Sequence, residues 1–404
     1  MKATGNLLKE PGVEQIDRFK TLVIEKKSAS YPVYKVPLKC LYYNDKNDRI
    51  STELIRYLSE NHTELPSEIE EYNNVFENLI YKSNPDKLNK TKKSIETRGQ
   101  DNPGVTLMDG RVVDGNRRYT CLRKIEKDTN IEQFFETVIL DKDYINDYKY
   151  VKSLELELQM GVEGPVEYDP IDRLFGLYNS IVIEKKFTPE EYARLFDNVT
   201  VSDVKKDLKL AELMCKYLEF IDSPGKFYLA KDMKLDGVLH EIPTVLERVR
   251  KKYPDLIDET ESFIFTLITM DVDTRINVYI RDLKSIVDNA DYPKLLEMVR
   301  GSVQETIDII ENKNIEERND LAEIRSNTHI TENLTDSVRQ HKKTAENKVM
   351  SDAPVKHLKE AASSLKSIEP LTVSEMSSSK IHEARTILEE IESEIKEIKG
   401  YLEP

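Results

Sequence analysis

The chain has 404 residues, of which 39% are hydrophobic and 33% are charged, and its formal net charge is −15 at pH 7. This composition is typical of a soluble, helix-rich protein and excludes a disordered chain. The acidic balance also excludes a protein that coats DNA with its whole surface, because phosphate binding needs clustered lysine and arginine. Any contact with DNA must therefore be local.

Neither a signal peptide nor a membrane span is predicted. The first 15 residues lack an apolar core, and no apolar run approaches the ~20 residues that cross a bilayer. We therefore expect a cytoplasmic protein with no membrane partner. The three cysteines are scattered and the six histidines show no zinc-binding spacing, so we expect reduced thiols and no structural metal.

An α/β mixture is predicted for roughly residues 30–145. Its elements are, in chain order, a strand and loop at 34–43, helical spacing at 51–82, a short helix at 86–99, two strands about the turn at Asp109-Gly110, a helix from Arg117 and a strand at 134–143. Asp86 is the expected N-cap of the short helix, and Gly99 is its expected C-terminal stop.

From Tyr148 onward, helical patterns replace the strand signals. The predicted fold class is α+β: a small α/β domain, then a mostly helical region that ends in a helical hairpin or coiled coil. We expect three parts, at residues 1–147, 148–312 and 313–404.

One segment has the features of a phosphate cradle. A strand runs into Asp114, Gly115, Asn116, Arg117 and Arg118, and a helix begins there. Backbone N–H groups and the positive end of the helix dipole meet at this point, and glycine permits close approach of a phosphate. The two arginines supply planar donors. The competing interpretation is a tight turn whose arginines pair with surface carboxylates.

The preceding helix is expected to face this cradle. Lys87, Lys90 and Ser94 recur at helical spacing, which places two cations and a hydroxyl on one side.

Three stretches in order carry a resemblance: residues 36–50, residues 93–125 and the helical segment from Leu154. The first contains Asn44 and Arg49, with Asp45 where an Asn-Pro-x-x-x-Arg turn has proline. The second contains Ser94, Ile95, Gly99, Gln100, Pro103 and the Gly-x-Arg-Arg loop at 115–118. This arrangement resembles the ParB/sulfiredoxin superfamily.

The resemblance implies a nucleotide-binding α/β fold whose cradle, including Arg49, holds the phosphates of CTP or ATP with Mg²⁺. ParB proteins carry a Glu-Asn-x-x-Arg segment on the next helix; here LELELQMGVEG offers Glu155 or Glu157 and no arginine. Asn116 stands at the position of the reactive cysteine of sulfiredoxins, so sulfinic-acid reduction is not expected.

Residues 187–210 resemble the helix-turn-helix that follows this domain in ParB proteins. Ala193 is the small residue at the helix crossing, and Ser202 is the expected cap of the recognition helix. Three lysines would then face DNA phosphates: Lys205, Lys206 and Lys209. The alternative is a helical hairpin inside a bundle.

The last helix has a heptad-like apolar stripe, which indicates either self-association or a hairpin with residues 354–368. The stripe is formed by Ile381, Ala384, Leu388, Ile391, Ile395, Ile398 and Leu402.

Three hypotheses of function follow. The first is a ParB-like DNA-binding protein, of partition, mobile-element or regulatory type, that is homodimeric and switched by nucleotide. The second is a kinase- or nuclease-like enzyme of the same fold, in which Asp114, Glu155 or Glu157 acts as base or metal ligand. The third is a non-catalytic regulator that binds a partner protein through its acidic helical half.

Overall fold

In a computed structural model, the described residues are 5–24, 27–61, 64–163, 169–196, 198–272, 275–369, 372–373 and 375–402. They form two compact units, one from residues 1–284 and 293–338 and the other from residues 285–292 and 339–404. The protein is α+β, as predicted. Compactness does not test which segments fold on their own, so the division after residues 147 and 312 stays a prediction. Within the described part of the chain, no helix has the length and apolar character to cross a membrane.

A six-stranded mixed sheet lies near the N-terminus. Its strands are β1 (Glu14–Ile24), β2 (Lys27–Pro37), β3 (Tyr42–Tyr43), β4 (Gly104–Leu107), β5 (Arg111–Asp114) and β6 (Phe134–Leu140). Their order across the sheet is β1-β2-β6-β4-β5-β3. The β4–β6 and β3–β5 pairs are parallel, and the other neighbours are antiparallel.

Helices make up most of the remaining described chain. Those around the sheet are α1 (Asp48–Asn61), α2 (Ile69–Ser83), α3 (Pro85–Arg98), α4 (Asn116–Thr129) and α5 (Tyr148–Glu163). The later ones are α6 (Pro170–Tyr178), α7 (Pro189–Ala193), α8 (Val201–Phe220), α9 (Phe227–Asp232), α10 (Asp236–Leu239), α11 (Ile242–Lys252), α12 (Ile257–Met270), α13 (Ile276–Asn289), α14 (Tyr292–Glu311), α15 (Ala322–Arg325), α16 (Thr328–Lys366) and α17 (Ser378–Leu402).

Both faces of the sheet are covered. On one face, Phe76 of α2 and Tyr119 of α4 pack against Tyr43 and Phe135 in a largely aromatic cluster. On the other, α5 packs against the alternate strand residues through Val151 and Leu154. Because successive strand side chains point to opposite faces, a strand between two such layers is apolar along most of its length, as the central strands β4 and β6 are.

Several boundaries differ from the sequence predictions. Asn84, not Asp86, caps α3: its Oδ1 accepts a hydrogen bond from the Lys87 N–H at 3.1 Å, and a proline occupies the first helical position. Gly99 ends this helix as predicted, at φ 77°. The helical stretch at 51–82 is two helices, because Pro66 lies between them and cannot continue a helix.

The N-terminal hairpin was not predicted from the sequence. The two 11-residue strands β1 and β2 pair along their length, with a bulge between Gln15 and Phe19. β2 ends at Pro37, where a 3₁₀ turn follows, so the predicted strand at 34–43 is broken into two. The first part of β2 is exposed, and its buried residues occur only from Val33 onward, so the hairpin lacks the apolar run that would have predicted it.

Candidate functional site

A solvent-open pocket lies where three 14-residue helices begin. Its lining includes residues at or just before the start of each helix: Asn47, Arg49 and Ile50 at α1, Asn84 and Leu88 at α3, and Gly115, Asn116, Arg117 and Arg118 at α4. The end of α2 (Ile80, Ser83), β5 (Val113, Asp114) and Glu155 of α5 complete it. Helix N-termini concentrate N–H donors and the positive end of the helix dipole. The pocket is therefore arranged for an anion.

Gly115 makes the turn from β5 into α4 possible. It adopts the left-handed region at φ 97°, and an added Cβ would lie 2.8 Å from Cζ of the buried Phe135. Because glycine has no side chain, α4 has no side-chain cap. This is the helix start at which the sequence predicted a close approach of phosphate.

The two arginines of α4 lie at the pocket with different surroundings. Arg118 donates from Nη2 to Asp114 Oδ2 at 3.2 Å. Its Nε and Asn116 Oδ1 are buried and make no hydrogen bond within the described structure. Arg117 lines the pocket one residue earlier on the helix, and Arg49 lines it from the start of α1. Arg49 and residues 114–118 thus line one pocket.

Lys20 of β1 is a cation that the sequence analysis missed. Its Nζ donates to Pro103 O at 2.6 Å and to Asp114 Oδ2 at 3.3 Å. Burial lowers the pKa of Lys20, against the opposing effect of Asp114. Asp114 therefore lies between two cations. No local signal in the sequence could have found this contact, which joins positions 94 residues apart.

Below the pocket, a buried lysine is surrounded by oxygens. Lys152 Nζ lies 2.8 Å from Asp48 Oδ1, 3.1 Å from Lys46 O and 3.6 Å from Glu155 Oε2. Burial alone would lower the pKa of Lys152, but the carboxylates of Asp48 and Glu155 outweigh it and raise the pKa above its usual value. The ammonium is therefore held in its charged form.

Glu155 links the buried lysine to the pocket, because it contacts Lys152 and is also part of the lining. It is 1% exposed, lines the pocket floor, and also accepts from Asn44 Nδ2 at 3.4 Å. Glu157, the other predicted base or metal ligand, is half-buried and is not among the residues that line the pocket. Lys152 and Asp48 escaped the sequence analysis; the three-residue spacing of Lys152 and Glu155 on one helix was the available signal.

The predicted basic face of α3 does not line the pocket. Ser94 Oγ instead accepts from Arg98 Nη2 at 3.0 Å, and neither Lys87 nor Lys90 is part of the lining. The three residues do share one side of the helix, but that side is rotated roughly 100–160° from Leu88, which packs into the core. Packing of Leu88 therefore turns the basic face away, and α3 contributes its first turn instead.

The proposed DNA-reading segment contains a short helix and a long one. α7 has five residues and α8 has twenty. Ser202 is not the cap of α8: Thr200 is, because its Oγ1 accepts from Asp203 N at 3.2 Å while Asp203 accepts from the Thr200 N–H. Ala193 and Val204 are buried in the same apolar cluster.

The lysines of α8 are exposed and lie near carboxylates. Lys205 Nζ is 3.5 Å from Glu190 and Lys206 Nζ is 3.8 Å from Asp203. Lys209 lines a shallow cavity whose other charged residues are Glu212, Lys216, Glu247, Arg250 and Glu261. The face is therefore mixed in charge.

In the second unit, the apolar stripe of α17 is exposed or only half-buried. The exposed fractions of its members include 50% for Leu388, 40% for Ile395 and 72% for Leu402. Residues 354–368, at the end of α16 and in the turn after it, are all exposed. In the described structure they therefore do not cover the stripe in a hairpin.

Comparison of the chain with protein-family models gives no match, and comparison with curated proteins gives no significant match. The class that the fold and pocket define is an α+β protein with a candidate anion site at the start of three helices.

Proposed function

We propose that the protein is a ParB-like, DNA-associated protein whose N-terminal α/β region binds the phosphates of a nucleoside triphosphate. The observation that carries the proposal is the meeting of three helix starts with Arg49, Arg117 and Arg118 at one pocket. CTP and ATP are the candidates because of the resemblance of residues 36–50 and 93–125 to the ParB/sulfiredoxin superfamily.

A polyphosphate suits this pocket better than a single small anion does. The arginines come from two different helices, and arginine binds phosphate oxygens with two parallel donors. Several anionic groups could therefore each meet a separate cation or helix start.

The remaining parts of the proposal are DNA contact and self-association. Lys205 and Lys206 on α8 are exposed, and their carboxylate contacts are of the exposed kind that contribute little. DNA phosphates can therefore replace those carboxylates. The exposed stripe of α17, flanked by glutamate and lysine, suits a second copy of the same helix in a coiled coil.

Calorimetry with ATP, CTP, GTP and UTP tests the nucleotide site. We expect binding in the micromolar range or weaker for at least one of them, and Arg117→Ala should abolish the heat. Lys93→Ala is the matched control, since it removes an exposed cation from α3 outside the pocket lining. Equal binding by the Arg117 and Lys93 variants would place the site elsewhere.

A further inference from the structure

The oxygens around Lys152 form the kind of environment in which a bound cation is usually found. A backbone carbonyl and two carboxylates approach the ammonium, from Lys46, Asp48 and Glu155. The side chain is 2% exposed, so water contributes little to its solvation. Taking a carboxylate out of water is unfavourable unless a cation compensates it. The ammonium supplies that compensation for Asp48 and Glu155 together.

The carboxylates nearest the pocket are thus already paired. Glu155 contacts Lys152, and Asp114 contacts both Lys20 and Arg118. Across the described residues, no group of three histidine, cysteine, aspartate or glutamate side chains is placed to hold a metal ion.

This donor set does not fit the Mg²⁺ that the resemblance implies. Mg²⁺ in phosphate sites is held by one or two carboxylates together with phosphate oxygens, at about 2.0–2.1 Å and in octahedral geometry. Here the acids that could take that role would first have to leave a lysine or an arginine. The Lys152 ammonium already lies between Asp48 and Glu155, and Glu155 is one of the acids that line the pocket.

We infer that the Lys152 ammonium is the resident cation of this site, and that the pocket binds its triphosphate ligand in the metal-free form. The inference rests on the proposed nucleotide site and adds the form of ligand that it takes. Arg49, Arg117 and Arg118 then neutralise the phosphates directly. Mg²⁺ bound to the triphosphate would compete with these arginines for the same oxygens.

Two calorimetric titrations of the wild-type full chain decide the question, one in EDTA and one in excess Mg²⁺. The probes are ATP, CTP and inorganic tripolyphosphate. We expect binding in EDTA to be at least as tight as binding in Mg²⁺. Tighter binding in Mg²⁺ would overturn the inference and leave the proposed function standing. The absence of binding in both buffers would remove the proposed function, and the inference with it.

A Lys152→Met variant tests the role of the ammonium without any nucleotide. Removing the charge takes away the cation that lies nearest to both Asp48 and Glu155, so Mg²⁺ or Ca²⁺ should raise the thermal midpoint of the variant by several degrees. The midpoint of the wild type should not respond. A folded variant that is insensitive to both cations would overturn the assignment of Lys152. If the variant does not fold, the wild-type titrations alone decide.

Discussion

Two regions of the first unit carry neighbouring cations, and they differ in what surrounds the charge. In the pocket, Arg49, Arg117 and Arg118 stand at the starts of helices around a concave surface. On α8, the lysines project from the outside of a helix, and carboxylates lie 3.5 to 3.8 Å from Lys205 and Lys206. In the pocket, the cations converge and the helix dipoles reinforce them, whereas on α8 neither helix dipoles nor convergence reinforces the lysines.

The affinity of a group of cations for an anion depends on how closely their donors converge, and not only on how many there are. Exposed charges separated by a Debye length or more act weakly at physiological salt, but several donors that converge on one oxyanion act together. An acidic chain can therefore retain one strong anion site while binding DNA only modestly.

Reversing one charge in the pocket should change triphosphate affinity far more than reversing one charge on α8. Arg117→Glu should weaken triphosphate binding by about 100-fold or more, because a repulsive carboxylate replaces a convergent donor. Lys206→Glu makes the same change of charge on α8 and should leave triphosphate affinity unaltered. Calorimetry under the same conditions checks both. Comparable losses in the two variants would show that net charge, not geometry, determines the binding.

Substitutions at the starts of α4 and α8 should also differ in how much they lower the free energy of unfolding. Gly115→Ala forces a side chain into the left-handed region and against Phe135, and should lower the free energy of unfolding by about 2–4 kcal/mol. Thr200→Ala removes an ordinary cap from α8 and should cost about 1 kcal/mol. Urea unfolding followed by circular dichroism measures both. Equal losses would mean that the turn at Gly115 relaxes freely.

Removal of α17 should lower the affinity for DNA and leave the affinity for triphosphate unchanged. A chain that ends at residue 370 should be monomeric in sedimentation, while the full chain dimerises at tens of micromolar. DNA affinity should fall at least tenfold, because a dimer holds two weak DNA contacts together. Triphosphate affinity should stay the same. A monomeric full-length chain would contradict the proposed self-association.

The smallest expected effect is the loss of DNA contacts by charge reversal. Lys205→Glu with Lys206→Glu should weaken duplex binding severalfold and reduce the slope of log affinity against log salt by about 2. Fluorescence anisotropy at several salt concentrations measures this slope. Lys93→Glu with Lys251→Glu is the matched control of equal charge. If both pairs change binding alike, residues 187–210 are not the DNA-contacting segment.

Local sequence patterns indicated the part of the pocket that lies at the turn from β5 into α4. The run from Asp114 to Arg118 specifies a strand, a glycine turn and a helix start within five residues, and the structure places Arg49 beside them. The basic stripe at Lys87, Lys90 and Ser94 was also a correct helical pattern. Its direction was wrong, because Leu88 sets the rotation of α3 and this depends on the tertiary core.

Long-range contacts lay outside the reach of those patterns. Lys152 meets Asp48 across 104 positions, and Lys20 meets Asp114 across 94. No spacing rule connects such residues before the sheet order is known. The cap of α8 is different: Thr200 and Asp203 have the spacing of a capping box, so the sequence contained the information that Ser202 was the wrong choice.

The position of β6 has a consequence for synthesis of the chain. β2 lies between β1 and β6, and Val33 pairs with Val138. About 100 residues must therefore emerge from the ribosome after β2 before its second neighbour exists, which takes roughly 5–20 s at ordinary rates of translation. During that interval the N-terminal hairpin has an unpaired inner edge, the kind of surface that pairs with other chains. We expect chaperones to engage the nascent chain most strongly between the emergence of Pro37 and that of Leu140.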